Sequence, residues 1–175
     1  MIRPGARLGI DVGEVRVGLA ASDPDGLIAT PVATLRRDRE GSADLETVVA
    51  QALDRAALEV IVGLPTSMNG TEGAAAQGAR EYASTLSQRL NGTIVRLWDE
   101  RLTTVDAHRR LASSGVPGRR QRRSVDQVAA VLILQAALDA ERSTGTPGGE
   151  VVGGRKPRKP RTKTPTKEGN REPTS

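Results

Sequence analysis

The sequence predicts an α/β fold: a mixed β-sheet with helices on both faces, followed by a basic tail. Three observations carry this. The chain opens with two apolar β-type runs, Arg7 to Val12 and Val15 to Ser22, separated by a span short enough for an antiparallel hairpin. After a third β-rich segment, helical and strand patterns alternate, as strand–helix units around parallel strands do. From Ser143 onward Gly, Pro, Thr and Lys replace the apolar residues. The expected organisation is one domain over residues 1–142 and a disordered Lys/Arg/Pro-rich tail over 143–175.

Each element has a local reason. Asp23-Pro24-Asp25-Gly26 is a turn signal after the second strand. Leu27 to Leu35 is β-rich but interrupted by Pro31, which suits an edge strand or a bulge. Arg36 to Gly41 reads as a charged loop. Ser42 is the expected cap of a helix to about Ala57, with Leu45, Val48, Val49, Ala52, Leu53 and Ala56 on one stripe. Val60 to Leu64 is wholly apolar, the pattern of a parallel strand buried on both faces. Thr71 is the expected cap of a helix to Leu90, ended by Asn91-Gly92. Thr93 to Trp98 is a further strand, and Thr103, with capping-box spacing to Asp106, starts another helix. Ser113 to Arg123 reads as a mobile basic loop. Ser124, with Gln127, is the expected cap of a last helix to Arg142, whose small-residue face (Ala129, Ala130, Ile133, Ala136, Ala137) suits close packing on a sheet.

Composition removes several kinds of chemistry. The chain has no Cys, so thiol catalysis and thiolate metal sites are excluded. Its one histidine, His108, sits beside Arg109 and Arg110 on an expected helix surface, so a His-based zinc centre is not expected. No apolar run approaches the roughly 20 residues of a membrane span, and the start does not resemble a signal peptide, so a cytoplasmic protein is expected. Trp98 and Tyr82 are the only aromatics, which argues against nucleic-acid binding by base stacking. Charge is uneven: residues 1–142 hold 18 Arg and 18 acids, and the whole net charge of +5 lies in the tail.

Acid–base or metal chemistry must therefore rest on carboxylates, hydroxyls and Arg. Asp11 ends an apolar strand just before a Gly, where it is either a turn residue or a carboxylate held at the sheet edge. Glu100 follows the last parallel strand, and Asp126 lies in the first turn of the last helix, where the helix dipole favours its ionised form. Ligands gather at the carboxyl ends of strands in open α/β sheets. Carboxylates without His or Cys suit hard cations such as Mg²⁺ or Mn²⁺. Two such ions roughly 3.5–4 Å apart can drive phosphodiester hydrolysis. Three dispersed, solvated acids are the alternative.

Four blocks carry a family resemblance: GIDVGEVRVGLAASD, VIVGLPTSMNGTEG, DERLTT and SVDQVAAVLIL, in this order between Leu8 and Leu138. With them the chain resembles the YqgF/RuvX family, which has an RNase H-like fold related to RuvC-type Holliday-junction resolvases. The resemblance implies a divalent-metal-dependent nuclease with Asp11, Glu100 and Asp126 as catalytic metal ligands. It implies a role in 5′-end maturation of pre-16S ribosomal RNA or, alternatively, resolution of four-way DNA junctions. The expected cofactor is Mg²⁺ or Mn²⁺, with two ions. The expected partners are pre-16S rRNA or branched DNA and the assembling small ribosomal subunit, for a monomer or homodimer; junction cutting favours the dimer. The tail after Arg142 lies outside the family pattern.

Supporting positions keep two readings each. Arg16 and Arg101 flank the acids and serve either a scissile phosphate or an ion pair. Arg119, Arg120, Arg122 and Arg123 precede Asp126 and are expected to bind the substrate backbone, the alternative being a solvated face. Asp99 is expected to make a salt bridge or a cap. Gly63-Leu64-Pro65 and Gly70 shape a loop beside the acids or simply join strand to helix. Two other classes compete with the nuclease: a sugar-kinase or actin-like ATPase, for which about 140 residues leave no second domain, and a non-catalytic nucleic-acid-binding protein.

Overall fold

The computed structural model describes residues 1–103 and 119–153; for 119–126 it gives the backbone course alone. The element order is β1 (Arg7–Val12), β2 (Arg16–Ser22), β3 (Ala29–Arg36), α1 (Ala43–Asp54), β4 (Glu59–Leu64), α2 (Ala74–Arg89), β5 (Ile94–Asp99), a 3₁₀ turn (Glu100–Leu102), α3 (Arg119–Thr144) and β6 (Glu150–Val152). One six-stranded sheet has the order β3-β2-β1-β4-β5-β6. The β1–β2 and β2–β3 pairs are antiparallel, β1–β4 and β4–β5 parallel, and β5–β6 antiparallel. This is the mixed sheet that the hairpin and the strand–helix alternation imply.

Strand alternation sorts the side chains into two cores. Leu8, Ile10, Val60, Val62 and Leu97 pack under α1 (Leu45, Val48, Ala52) and α2 (Ala79, Ala83, Leu86). Ala20, Ile61 and Trp98 pack under α3 through Ala129, Ala130, Ile133, Leu134 and Leu138. The small-residue face of α3 allows a very close approach. A Cβ on Gly9 would lie 2.6 Å from Leu134 Cβ and 2.9 Å from the Ala130 carbonyl oxygen. Pro31 lies on the edge strand β3, where the register shifts opposite Leu19 and Ala20, so its missing N–H costs the ladder little.

Several expectations are corrected. Ser42 does not cap α1 with its side chain: it sits at φ 64°, whereas a capping residue is extended. The Asp38 carboxylate instead accepts from Gly41 N (2.8 Å) and Ala43 N (3.0 Å). Leu53 is exposed, because α1 turns only Leu45, Val48 and Ala52 fully inward. Helix α2 starts at Ala74 after Gly73, not at Thr71, whose N–H bonds Ser67 Oγ and Asn69 Oδ1 within a tight loop. Helix α3 begins at Arg119, so Arg119 to Arg123 are helical rather than loop, Ser124 is inside the helix rather than its cap, and Asp126 lies beyond the first turn, where the helix dipole no longer favours its charge. The ordered fold also runs past Arg142, because β6 adds an antiparallel edge to β5. Thr103 closes the 3₁₀ turn, and its hydroxyl accepts from Trp98 Nε1 (2.9 Å). Asp106, His108, the helix expected from Thr103 onward and the loop at 113–118 lie outside the described residues. So do the tail residues 154–175. Among the described residues no helix is long and apolar enough to cross a membrane.

Candidate active site

Asp11 is the fifth residue of β1, opposite Gly18 across the hairpin and only 5% exposed. A carboxylate this buried requires compensating polar or cationic neighbours. The parallel β1–β4 register ends at Ile10–Val62, so Asp11 comes level with Gly63 on β4. Alternation puts Asp11 on the face that α3 covers, together with Gly9.

Glu100 reaches the same place from the other side. It opens the 3₁₀ turn directly after β5. Asp99 sets that turn: its carboxylate accepts from Arg101 N (3.0 Å), from Arg101 Nε (3.0 Å) and from Thr66 Oγ1 (3.0 Å). The Arg101 guanidinium and these hydrogen bonds hold the Asp99 carboxyl at about 2. Asp99 is thus both cap and salt bridge, and Arg101 is engaged with it. The Glu100 carboxylate lies over Gly63: a Cβ there would meet Glu100 Oε1 at 2.6 Å and Ile133 Cδ1 at 2.5 Å. Gly63 is therefore an opening that leaves room for a carboxylate beside Asp11.

Asp11 and Glu100 line one cleft of about 520 Å³ at the carboxyl ends of β1 and β4. Its walls are the β1–β2 loop and the first turns of α2. Asp126 belongs to α3, but its side chain lies outside the described residues, as do those of Arg119, Arg120, Arg122 and Arg123. Among the described residues no group of three or more His, Cys, Asp or Glu side chains is arranged to hold a metal. The two acids that are described offer only oxygen donors, and Gly63 provides the clearance that Glu100 needs. That donor set fits a hard divalent cation. Arg16 starts β2 two residues from Gly18, so it shares the sheet face of Asp11.

The sequence pattern does not single out the two arginines of the cleft. Arg37 and Arg39, just after β3, line the same cleft as the acids. Arg37 lies 4.9 Å over the Tyr82 ring and 3.9 Å from Asp44. Burial, with the negative charge of Asp44, pushes the Tyr82 phenol well above its ordinary range. Arg39 donates to the Glu14 carbonyl at 3.4 Å. The only local signal was a charged run after an edge strand, which is indistinguishable from an ordinary solvated loop.

Residues 5–140 match the family described as RuvX, Holliday junction resolvase. A protein of Frankia casuarinae named "Putative pre-16S rRNA nuclease" is 54% identical over 147 residues, which cover 84% of this chain and 72% of that protein. Proteins of the same name from Kineococcus radiotolerans (51% identical, 91% of this chain, 85% of that one) and a Nocardioides species (50%, 86% and 98%) are similarly close. Among solved structures, Thermus thermophilus RuvC in complex with a Holliday junction substrate shares the fold. Its TM-score is 0.53 at 13% identity, covering 85% of this chain and 99% of that one.

Proposed function

Because the chain belongs to the RuvX family, we propose that it is a nuclease that hydrolyses phosphodiester bonds with a divalent cation, and that its substrate is the 5′ region of pre-16S ribosomal RNA. The observation that carries this is the meeting of Asp11 and Glu100 beside Gly63 in one cleft. The substrate class rests on the shared name of the relatives.

Asp11, Glu100 and Asp126 would hold the cation, Mg²⁺ or Mn²⁺ and as a pair of ions. Asp126 lies one helical turn before Ala130, whose carbonyl abuts Gly9 two residues before Asp11. A bound cation supplies positive charge to the phosphate and a more acidic water. The chain's own residues do the rest. Buried Asp11 keeps a fixed carboxylate at the strand end, and Asp99 with Thr66 holds the turn that aims Glu100. Arg16, on the face of Asp11, would orient the scissile phosphate, with Arg101 beside the turn. Arg119, Arg120, Arg122 and Arg123 would hold the substrate backbone. The assembling small ribosomal subunit is the proposed setting.

The test compares wild type with Asp11→Asn on a 5′-extended pre-16S fragment and on a synthetic four-way DNA junction, with Mg²⁺ or Mn²⁺. Cutting of the RNA is expected. The substitution should reduce it by more than the roughly 10–100-fold that an outer-shell change costs a metal site. Symmetric cutting of the junction alone would replace this reading by a resolvase, the activity that the family description names, working as a dimer. Equal cutting by both proteins would remove Asp11 from the chemistry.

A further inference from the structure

The acid cleft does not end at Arg37 and Arg39. A second hollow of about 680 Å³ shares Glu14, Arg37 and Arg39 with it and continues past Arg36 toward the start of α1. The two form one groove, leading away from Asp11 and Glu100 on the β3–α1 side.

Two features of the groove fit an extended polyanion, in a hollow that Arg36, Arg37 and Arg39 share with Glu14, Asp38 and Glu40. Arg36 and Arg39 are exposed, whereas the Asp38 carboxylate between them is committed to the backbone N–H groups of Gly41 and Ala43. On the other wall, Gly78 sits inside α2 and lines the cleft, yet a Cβ there would meet nothing within 4 Å. Glycine weakens a helix interior relative to alanine, and no packing within the described chain requires it here. Close approach of a ligand would account for it.

We propose that this groove is a track for the sugar–phosphate backbone of the substrate strand, with Arg36 and Arg39 as phosphate contacts and Gly78 as the clearance. The inference rests on the nuclease reading for the nature of the strand. With so few aromatic side chains in the chain, the contacts are to backbone rather than stacked bases, so the track is indifferent to sequence.

The experiment is equilibrium binding of a fluorescein-labelled 20-nucleotide single-stranded RNA to the full chain in EDTA, followed by anisotropy over a range of salt. Arg36→Gln/Arg39→Gln is compared with wild type, and cutting with Mg²⁺ is followed separately. Losing two phosphate contacts should flatten the slope of log K against log salt by about 1.4 and weaken binding on the order of tenfold near physiological salt. Gly78→Gln should hold or raise the thermal midpoint while weakening binding severalfold. An unchanged slope in the double variant, or full affinity in a Gly78→Gln protein that folds as wild type does, overturns the track. If the slope flattens but wild type cuts nothing, the track stands and the nuclease reading falls. If wild type cuts and Asp11→Asn does not, while the slope is unchanged, the reverse holds.

Discussion

A methyl group on Gly63 would lie 2.6 Å from Glu100 Oε1 and 2.5 Å from Ile133 Cδ1. One carbon therefore competes with the Glu100 carboxylate on one side and with the α3 core on the other. Gly63→Ala is expected to cost about 1–3 kcal/mol of stability by overpacking. It should also reduce cutting by more than the loss of folded protein explains. Urea unfolding alongside single-turnover cleavage checks both, and full activity would mean that Glu100 has other room. The sequence made Asp11 legible, because an acid at the end of an apolar strand is conspicuous. Glu100 was separated from its neighbour Asp99 only through the family resemblance. The structure supplies the physical distinction: Asp99 is taken up by Arg101 and Thr66, and Glu100 is turned over Gly63.

At the scale of elements, a buried ion cluster ties the lead-in, β1, β4 and α3 together. Glu141 pairs with Arg3 (2.7 Å) and Arg7 (3.1 Å), while Glu59 pairs with Arg3 (2.8 Å) and Arg96 (2.9 Å). Burial pushes the Glu141 carboxyl up, but hydrogen bonds from Arg3 and the charges of Arg7 and Arg3 outweigh it and hold it at about 2. Its folded value lies below the ordinary 4.5, so its stabilisation is fully present above that pH. It is lost as pH falls through about 2. Urea unfolding at stepped pH should show stability declining between about 4.5 and 2, with a shallower decline in Glu141→Gln. Glu141→Ala should cost about 3 kcal/mol at neutral pH, because it removes the carboxylate that accepts from buried Arg7 Nη2 (3.1 Å) and leaves Arg7 only the more distant Glu59 (3.9 Å) as a counter-charge. The edge of the sheet gives another test. Residue 148 packs on Trp98, and β6 pairs with Val95, Arg96 and Leu97. A chain ending at Arg142 should unfold at a lower temperature than one ending at Gly153, with more self-association through the bared β5 edge. Equal midpoints would mean that β6 adds nothing. A strand of three residues in a Gly/Pro-rich context carries no readable period, so sequence alone placed the boundary too early.

Across the whole molecule, the sheet is polarised. The ion cluster staples the amino ends of β1 and β4, and the acids, the cleft and the arginine groove occupy the carboxyl ends. Charge is divided as well: residues 154–175 carry 8 Lys plus Arg against 2 Glu, so a chain ending at Gly153 has a net charge of −1 instead of +5. That shortened chain should bind RNA more weakly, with a shallower salt dependence over about 50–200 mM. Anisotropy titration of both chains reads this directly, and identical curves would show the tail to be electrostatically idle.

By itself the sequence determined β1 to β5, α1, α2 and the body of α3, the mixed sheet, the two helix-covered faces and the blocks that mark the family. Those follow from hydrophobic period, turn chemistry and motif, which are properties of neighbouring residues along the chain. Only the tertiary structure decided what stands beside what. It brought Asp11 and Glu100 to one cleft, with Glu100 over Gly63, put Arg37 and Arg39 in that cleft, and returned residues 150–152 to the sheet. These are contacts between segments tens of residues apart. They depend on strand order and on register across the sheet, which leave no local trace in the chain.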